Sequence, residues 1–447
     1  MEDGKLEAKL EKDYAPIVDV QLPEAEKLAK AGKLTEAVEQ LLVLEKQTRV
    51  GADLASNSRI LIGIVSLCFQ ARDWKALNEN IVVLSKKHGI LKQAVTKMVQ
   101  ESMAYIEKTP DASTKLELIE TLRTVTEGKI FVEVERARLT RTLSKIKEGE
   151  GKTVEAADIL QELQVETFGS MDKREKTDFI LEQMRLCLLK KDYTRTQIIS
   201  RKIGIKFFKD VANHDLKLRY YDLMIQYAVH EGLSLNVCKY YREVYDTPSV
   251  QADEAKRTEA LKNVIFFIVL APYDNEQSDL IHRIYEDPNL AKSILFKEFT
   301  KCFITDELMR WPKIEEIYGA LLRESYVFNA ATEDGAKRWK ELHKRVIEHN
   351  IRVISKYYTR IGMKRLTALL DLPSNETEEF LSNLVVNKTI YAKIDRPAGI
   401  ITFVARKDPN AILNEWSTNI NSLLELIVKT THLITKEEMV HDITKVI

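Results

Sequence analysis

Apolar residues in the first half of the chain recur at helical spacing, and polar or glycine breaks interrupt them about every 40 residues. A small or apolar residue follows each break by five positions, as Ala37 follows Gly32, and helical spacing then continues. A weaker copy after Pro110 and Asp111 fills the one double-length interval. The breaks with the clear pattern are Gly32, Arg72, Gly151, Lys191 and Gly232.

This period is typical of paired-helix repeats of the tetratricopeptide (TPR) or HEAT kind. One helix pair cannot bury its apolar face alone, so neighbouring pairs must stack on each other. The sequence therefore predicts a mainly α-helical fold with a TPR-like or HEAT-like helical-repeat solenoid, the arm, over residues 23–250. Residues 1–22 are charged and weakly periodic, and we expect them to form a flexible N-terminus.

The pattern changes in residues 251–405, which we expect to form one module. Its first part, 251–361, keeps helical spacing between prolines, and a long basic helix over 337–365 begins within it. Its second part, 362–405, has the order of a winged helix. A short helix over 363–370 precedes a second helix that Ser374 caps and Asn387 closes. Two β-rich runs, 389–394 and 400–404, then flank the turn residues 395–399.

The sequence of the C-terminal region, 406–447, predicts a short linker followed by one more helix over 411–430. Its apolar residues follow a heptad seam that Thr430 interrupts. Such a stripe needs a partner, and two alternatives remain open: the helix packs back onto the winged helix, or it joins a bundle with helices of other chains. The seam residues are Leu413, Trp416, Ile420, Leu423, Ile427 and Ile434.

Composition narrows the class of protein. The 68 basic and 68 acidic residues cancel, so no global field attracts nucleic acid or an anionic membrane. Only 15 Gly and 10 Pro in 447 residues favour helices over a β-sandwich or barrel. The four cysteines lack metal-ligand spacing, the N-terminus lacks the apolar core of a signal peptide, and no apolar run reaches the roughly 20 residues of a membrane helix. We therefore expect a soluble intracellular protein.

No pattern of catalytic or cofactor-binding residues emerges. Gly151-Lys152-Thr153 resembles the end of a phosphate-binding loop, but Ile146 stands where that loop requires glycine. His343, Glu348 and His349 share a helix without the spacing of a zinc site. The sequence therefore predicts no catalytic, metal or cofactor-binding residue, no cofactor and no enzymatic activity.

The basic helix is the one strong local charge, with ten Lys or Arg against Glu341 and Glu348. Beside a winged helix it suggests nucleic-acid binding. However, the second helix of the winged unit begins with Glu376, Glu378 and Glu379, which would repel phosphates. We therefore favour a helix that packs through Leu342, Val346, Val353, Tyr357 and Ile361 and pairs with acidic neighbours.

A helical-repeat arm that leads into a winged helix resembles the PCI family, named for the proteasome lid, the COP9 signalosome and a translation initiation factor. Several stretches resemble a PCI subunit of the 26S proteasome lid in particular, and the resemblance covers residues 12 to about 440. These stretches are LLVLEK (41–46), LSKKHG (84–89), KIFVEVERAR (129–138), EAADIL (155–160), LQVET (163–167), RVIS (352–355) and LNEW (413–416).

The resemblance implies a non-catalytic scaffold subunit of the proteasome regulatory particle lid, in the cytoplasm and nucleus, that supports lid assembly and ubiquitin-dependent protein degradation. It implies a hetero-oligomer whose partners are other PCI lid subunits, the lid deubiquitinase subunit pair and the proteasome core particle, with no nucleic acid and no membrane. Partner contacts would use the wing strands and the C-terminal helix. The implied residues are Ile390, Tyr391, Ile394, Ile400 and Phe403 in the wing, and Leu413, Trp416, Ile420, Leu423 and Ile427 in the helix.

Two alternatives remain open from the sequence. The chain could be a subunit of, or shared with, the COP9 signalosome or another PCI complex. It could also be an RNA-binding PCI module that uses the basic helix.

Overall fold

The computed structural model of the chain describes residues 14–404 and 408–441. They form two compact units, one ending at Glu231 and the other beginning at Gly232. The helices of the first unit are Ala15–Lys30 (α1), Leu34–Val50 (α2), Leu54–Gln70 (α3), Trp74–Lys86 (α4), Lys92–Ala104 (α5), Ala112–Thr126 (α6), Glu133–Gly149 (α7), Thr153–Gln161 (α8), Lys173–Leu189 (α9), Tyr193–Ser200 (α10) and His214–His230 (α11).

The second unit adds helices and one small sheet, so the predicted mainly α-helical fold is confirmed. Its helices are Ser234–Tyr245 (α12), Pro248–Ala252 (α13), Glu254–Leu270 (α14), Asn275–Tyr285 (α15), Ile294–Ile304 (α16), Trp311–Arg323 (α17), Glu333–Tyr357 (α18), Met363–Leu370 (α19), Ser374–Val386 (α20) and Pro409–Val440 (α21). Its strands are Arg360–Gly362 (β1), Lys393–Asp395 (β2) and Ile400–Thr402 (β3). The predicted domain limits 23–250, 251–405 and 406–447 stay predictions.

The predicted breaks between repeat helices are tight turns with one residue in the left-handed region. After Gly32, Arg72, Gly151 and Lys191, the next N–H donates to the carbonyl five positions earlier, as Asp73 donates to Cys68 over 3.2 Å. This Schellman closure satisfies the last carbonyls of the first helix and reverses the chain. The residues with positive φ at these breaks are Gly32 (85°), Arg72 (56°), Gly151 (82°), Lys191 (65°) and Gly232 (70°).

In several of the turns between helices, the residue after the one with positive φ is an aspartate that caps the following helix. Its carboxylate accepts a hydrogen bond from the N–H three residues later, which satisfies one donor of the new helix. Each of these bonds measures 3.0 Å, and they join Asp53 to Ser56, Asp73 to Ala76 and Asp192 to Arg195. One turn therefore ends one helix and caps the next, which explains the regular period in the sequence.

The apolar residues that follow the breaks form the core of the first unit. One continuous cluster runs from Val18 to Leu143, and a second runs from Ala137 to Leu186. The weaker repeat copy after Pro110 and Asp111 also forms a packed helix, α6, in which Ile119 is completely buried. The buried positions that the repeat pattern predicts are Leu41, Leu44, Ile81, Leu84, Leu160, Leu163, Ile199 and Ile203.

The N-terminal prediction was partly wrong. Residues 15–22, which we expected to be flexible, belong to α1, and Val18 is completely buried. Helix α1 has Pro at its first turn, where a missing N–H costs nothing, and its apolar face packs into the first cluster. Residues 1–13 lie outside the described part of the chain.

The helical part of the second unit packs around α14. Its apolar run, 264–271, is buried along its whole length, which identifies it as a core helix. Phe266 meets Phe296 and Phe328 edge to face, with ring centroids 5.7 and 5.5 Å apart. This arrangement holds α14 against α16 and against the loop before α18.

The winged helix forms as predicted in element order, with an antiparallel sheet in the order β1-β3-β2. Ile361 and Ile394 both pair with Ile401 of the central strand. Ile401 is completely buried and Ile361 nearly so, and with Leu366 and Leu381 they form a separate core beneath the sheet.

Three details of this region were wrong in the sequence analysis. The basic helix ends at Tyr357, and its expected last residues form β1 and the start of α19. Ser374 is the first residue of α20 and makes no side-chain cap; Pro373 precedes it. The strands are shorter than predicted, at three residues each. Asn387 closes α20 as expected, and Lys388 follows with a φ of 57°.

Helix α21 is longer than predicted. It runs without interruption from Pro409 to Val440, and Thr430 lies within it, with its hydroxyl donating to the carbonyl of Leu426 over 2.8 Å. The expected linker begins at residue 406, and residues 405–407 lie outside the described part of the chain, as do 442–447.

Candidate protein-protein interface

The predicted wing residues differ in how much of their surface a partner can reach. Tyr391 and Ile400 keep 49% and 41% of their surface exposed. Ile390 and Ile394 are half-buried against the winged-helix core. Phe403 is 7% exposed and belongs to that core. Tyr391 and Ile400 are therefore the accessible apolar members of the predicted set.

Both outer strands of the small sheet offer backbone groups to a partner. Strand β3 lies in the middle, so β1 and β2 each have one edge that no described strand covers. A free edge can pair with a strand of another chain. These edges carry exposed charged residues, namely Arg360 on β1 and Lys393 and Asp395 on β2. Charges on an edge strand disfavour non-specific pairing with strands of other proteins.

The acidic start of α20 has an intramolecular partner in the wing turn. Arg396 lies 2.7 Å from Glu378 through Nε and 2.5 Å through Nη2. Gly399, with a φ of 62°, completes the turn, and its carbonyl accepts a hydrogen bond from the N–H of Met363 over 2.8 Å. These contacts fix the wing relative to α19 and α20, so the exposed wing residues keep defined positions.

The predicted seam on α21 is exposed along its length. No side chain of this helix is buried within the described residues, and Trp416 keeps 64% of its surface exposed. The alternative in which the seam packs onto the winged helix is therefore not seen in this structure. The other predicted residues are exposed as follows: Leu413 57%, Ile420 40%, Leu423 57% and Ile427 51%.

Further apolar residues on α21 were missed because they lie off the seam. Between residues 423 and 428, Glu425 is the only polar residue. A helix that is apolar around its whole circumference is typical of a buried position with several neighbours. The exposed off-seam residues are Ile412, Leu424, Leu426, Val428 and Leu433. The middle of α21 therefore fits a bundle better than a two-stranded coiled coil.

The basic residues of α18 have partners within the second unit. Arg345 donates to the carbonyl of Leu270 over 3.0 Å and pairs with Glu348. Lys356 contacts both carboxylate oxygens of Asp306, at 2.7 and 2.8 Å. Leu342, Val346 and Val353 are buried as predicted, whereas Tyr357 is 70% exposed and Ile361 lies in β1.

The described residues show no arrangement that suggests chemistry. Gly151 is a turn residue, and Lys152 contacts Glu150 at 3.5 Å. Burial raises the pKa of the Cys68 thiol to about 11 and of Cys238 to about 12, so neither is a thiolate at neutral pH. Within residues 14–404 and 408–441, no cluster of three or more His, Cys, Asp or Glu has the geometry to hold a metal. None of the helices in these ranges has the length and apolar character to cross a bilayer.

Comparison with known proteins assigns the whole chain to one family. The 26S proteasome non-ATPase regulatory subunit 12 of Dictyostelium discoideum is 48% identical over 440 residues, which cover 98% of each chain. The 26S proteasome regulatory subunit RPN5 of Saccharomyces cerevisiae is 48% identical over 97% of each chain. The chain belongs to the RPN5/PSMD12 family of proteasome regulatory subunits. The rpn501 subunit of Schizosaccharomyces pombe is 51% identical over 92% of this chain and 93% of its own.

Family models match the same regions that the structure describes. A model described as PSMD12/CSN4, N-terminal, matches residues 36–253, and the PCI domain model matches 298–404. A third model, the 26S proteasome regulatory subunit RPN5 C-terminal domain, matches 410–442. Most of helix α21 therefore lies in a region whose sequence this family model describes.

Proposed function

We propose that this chain is a non-catalytic scaffold subunit of the 26S proteasome regulatory particle lid, where it supports lid assembly and ubiquitin-dependent protein degradation. The observation that carries the proposal is α21, a 32-residue helix with an exposed apolar seam, an almost wholly apolar stretch at residues 423–428 and no buried side chain among the described residues. Covering each of its large apolar side chains contributes about 1.5–3 kcal/mol, so a bundle with partner helices gains substantial free energy.

We further propose the partners. The seam on α21 and the wing residues Tyr391 and Ile400 contact other PCI subunits of the lid. The helical-repeat arm contacts the deubiquitinase subunit pair and the core particle. The exposure of α21 and of the β1 and β2 edges supports the first part, while the second part rests on family resemblance. We also propose a location in both cytoplasm and nucleus, which imaging of a fluorescently tagged chain in living cells tests.

A double substitution tests the bundle. Trp416→Asp with Ile420→Asp places two carboxylates on the seam, and we expect loss of the chain from purified lid while the rest stays folded. Asn414→Asp with Thr418→Asp is the matched control. At 100° per residue these positions lie on the opposite side of α21 and receive the same charge. Normal incorporation of the seam variant, or equal loss of both variants, would contradict the role of the seam.

A tagged pull-down with mass spectrometry tests the assembly. We expect proteasome lid subunits as the main partners. The first family model also carries the CSN4 name, so the signalosome is the second candidate. Recovery of signalosome subunits without proteasome subunits would replace the proposal with that candidate. Salt-sensitive RNA recovery from the purified chain would instead favour the RNA-binding alternative.

A further inference from the structure

A polar cavity in the second unit has no part in the proposed scaffold role. It has a volume of about 210 Å³ and lies between α15, the end of α16 and α18. Its wall includes Ser278, Asp306, His349, Arg352 and Lys356. Two of these side chains carry buried nitrogen atoms that lack hydrogen-bond partners.

The first of these atoms is Nε of Arg352. The guanidinium group stacks on the ring of Tyr273, with 3.5 Å between its central carbon and the ring centroid. Within the described ranges, no carboxylate lies within ion-pair distance of Arg352. Glu348 pairs with Arg345, and Asp306 pairs with Lys356. Glu348 and Asp306 act on Arg352 only at longer range. A half-buried guanidinium with no carboxylate in direct contact costs free energy, so this cation favours an anion in the cavity.

The second atom is Nε2 of His349, a residue that is only 3% exposed. Burial, and then the charge of Arg352, lowers the pKa of His349 to about 4, so the ring is neutral at pH 7. Nη2 of Arg352 lies 3.4 Å from Nδ1 of His349. Arginine can only donate, so Nδ1 accepts and the ring proton lies on Nε2. The backbone carbonyls of Thr305 and Glu307 lie near the ring, but Nε2 is a buried donor that makes no hydrogen bond of good geometry.

We propose that this cavity binds a small oxyanion of the phosphate class, with Arg352 as its principal ligand and His349 Nε2 as a neutral donor. A planar guanidinium fork recognises phosphate oxygens through parallel charge-assisted hydrogen bonds, and Lys356 adds a point charge at the rim. Asp306 is the one carboxylate in the wall. Its charge is balanced by Lys356, so Arg352 leaves the cavity with a net positive charge. The anion comes either from free inorganic phosphate or from a small phosphate ester.

Binding of inorganic phosphate to the purified full-length chain tests the proposal. In buffers of equal ionic strength, phosphate raises the melting temperature of the wild-type chain above its value in chloride, and titration calorimetry detects the same binding. Arg352→Gln lowers the affinity roughly tenfold or more, as expected for loss of a hydrogen bond to a charged group. Arg283→Gln is the matched control, because Arg283 lies on α15 and is exposed beside Asp279. Equal responses to phosphate and chloride, or unchanged affinity in Arg352→Gln, overturn the proposal.

A second variant keeps the test decisive if Arg352→Gln fails to fold. Ser278→Glu supplies a carboxylate from the wall itself, so we expect a higher melting temperature in chloride and no further gain from phosphate. A phosphate response that persists unchanged in Ser278→Glu overturns the proposal. O-phosphoserine, titrated in parallel with inorganic phosphate, separates the two sources, since the better ligand binds at lower concentration.

Discussion

Arg185 on α9 binds Glu148 on α7 through two hydrogen bonds of 2.7 Å each. The two residues are 37 positions apart, about one repeat, and the pair joins successive helix pairs of the first unit. Arg185 also contacts Glu182 on its own helix at 2.7 Å. The bidentate geometry fixes the distance between repeats in a way that apolar packing alone does not.

This pair predicts a pH-dependent contribution to stability. The hydrogen bond from Arg185 lowers the pKa of Glu148 below its usual 4.5. Because the folded-state pKa is depressed, the stabilisation is fully present above about pH 5 and is lost as the pH falls through the folded-state value. We expect Glu148→Gln to cost about 1 kcal/mol at pH 7 and little at pH 3. Urea unfolding at both pH values measures this, with the exposed Glu155→Gln as control. An equal cost at both pH values would show that charge is not the cause.

Two glycines at the same helix end predict opposite effects of alanine. Gly151 has a φ of 82°, which alanine disfavours, so Gly151→Ala should cost about 1–2 kcal/mol. Gly149 is helical, and no atom lies within 4 Å of the position a Cβ would take, so Gly149→Ala should stabilise α7 by about 0.5–1 kcal/mol. Thermal unfolding of both variants provides the comparison. Unchanged stability of Gly151→Ala would show that the turn does not depend on the left-handed residue, and destabilisation by Gly149→Ala would contradict the free space at that position.

The sequence was most informative where structure depends on local residues. The breaks at Gly32, Arg72 and Lys191 were predictable because each turn is closed by its own backbone, and an aspartate caps the next helix after Arg72 and Lys191. Strand β1 was missed because its only signal is pairing with Ile400–Thr402, about 40 positions away. Nothing local distinguishes Arg360–Gly362 from the end of the preceding basic helix.

The apolar seam of α21 could also be predicted from the sequence, because heptad spacing is a property of one segment. The proposed oxyanion cavity could not be predicted in this way. Arg352 is one of ten basic residues in its segment, and only the folded structure shows that Arg345 and Lys356 have partners while Arg352 has no carboxylate within reach. A sequence does not reveal which charge is left without a counter-ion, since that depends on tertiary distances.

Asn350 joins α18 to the segment before α17. It is 4% exposed, and its amide donates to the carbonyl of Met309 over 2.7 Å and accepts from the Met309 N–H over 2.9 Å. Asn350→Leu has a similar size but leaves both backbone groups buried and unpaired, so we expect a loss of about 2–4 kcal/mol. Asn350→Asp keeps the acceptor and should cost less. Urea unfolding ranks the variants, and equal losses would point to packing rather than hydrogen bonding.

The exposure of α21 predicts that the rest of the chain stays folded when this helix is removed. Ending the chain after Asp408 removes a helix with no buried side chain among its described residues, so the melting temperature of the rest should change by only about 1 °C. Ending it after Gly399 instead removes β3 and exposes Ile361, and this control should unfold the winged helix. Scanning calorimetry compares the two chains. A large fall in melting temperature after the first truncation would mean that α21 packs against its own chain, and the bundle would then need another explanation.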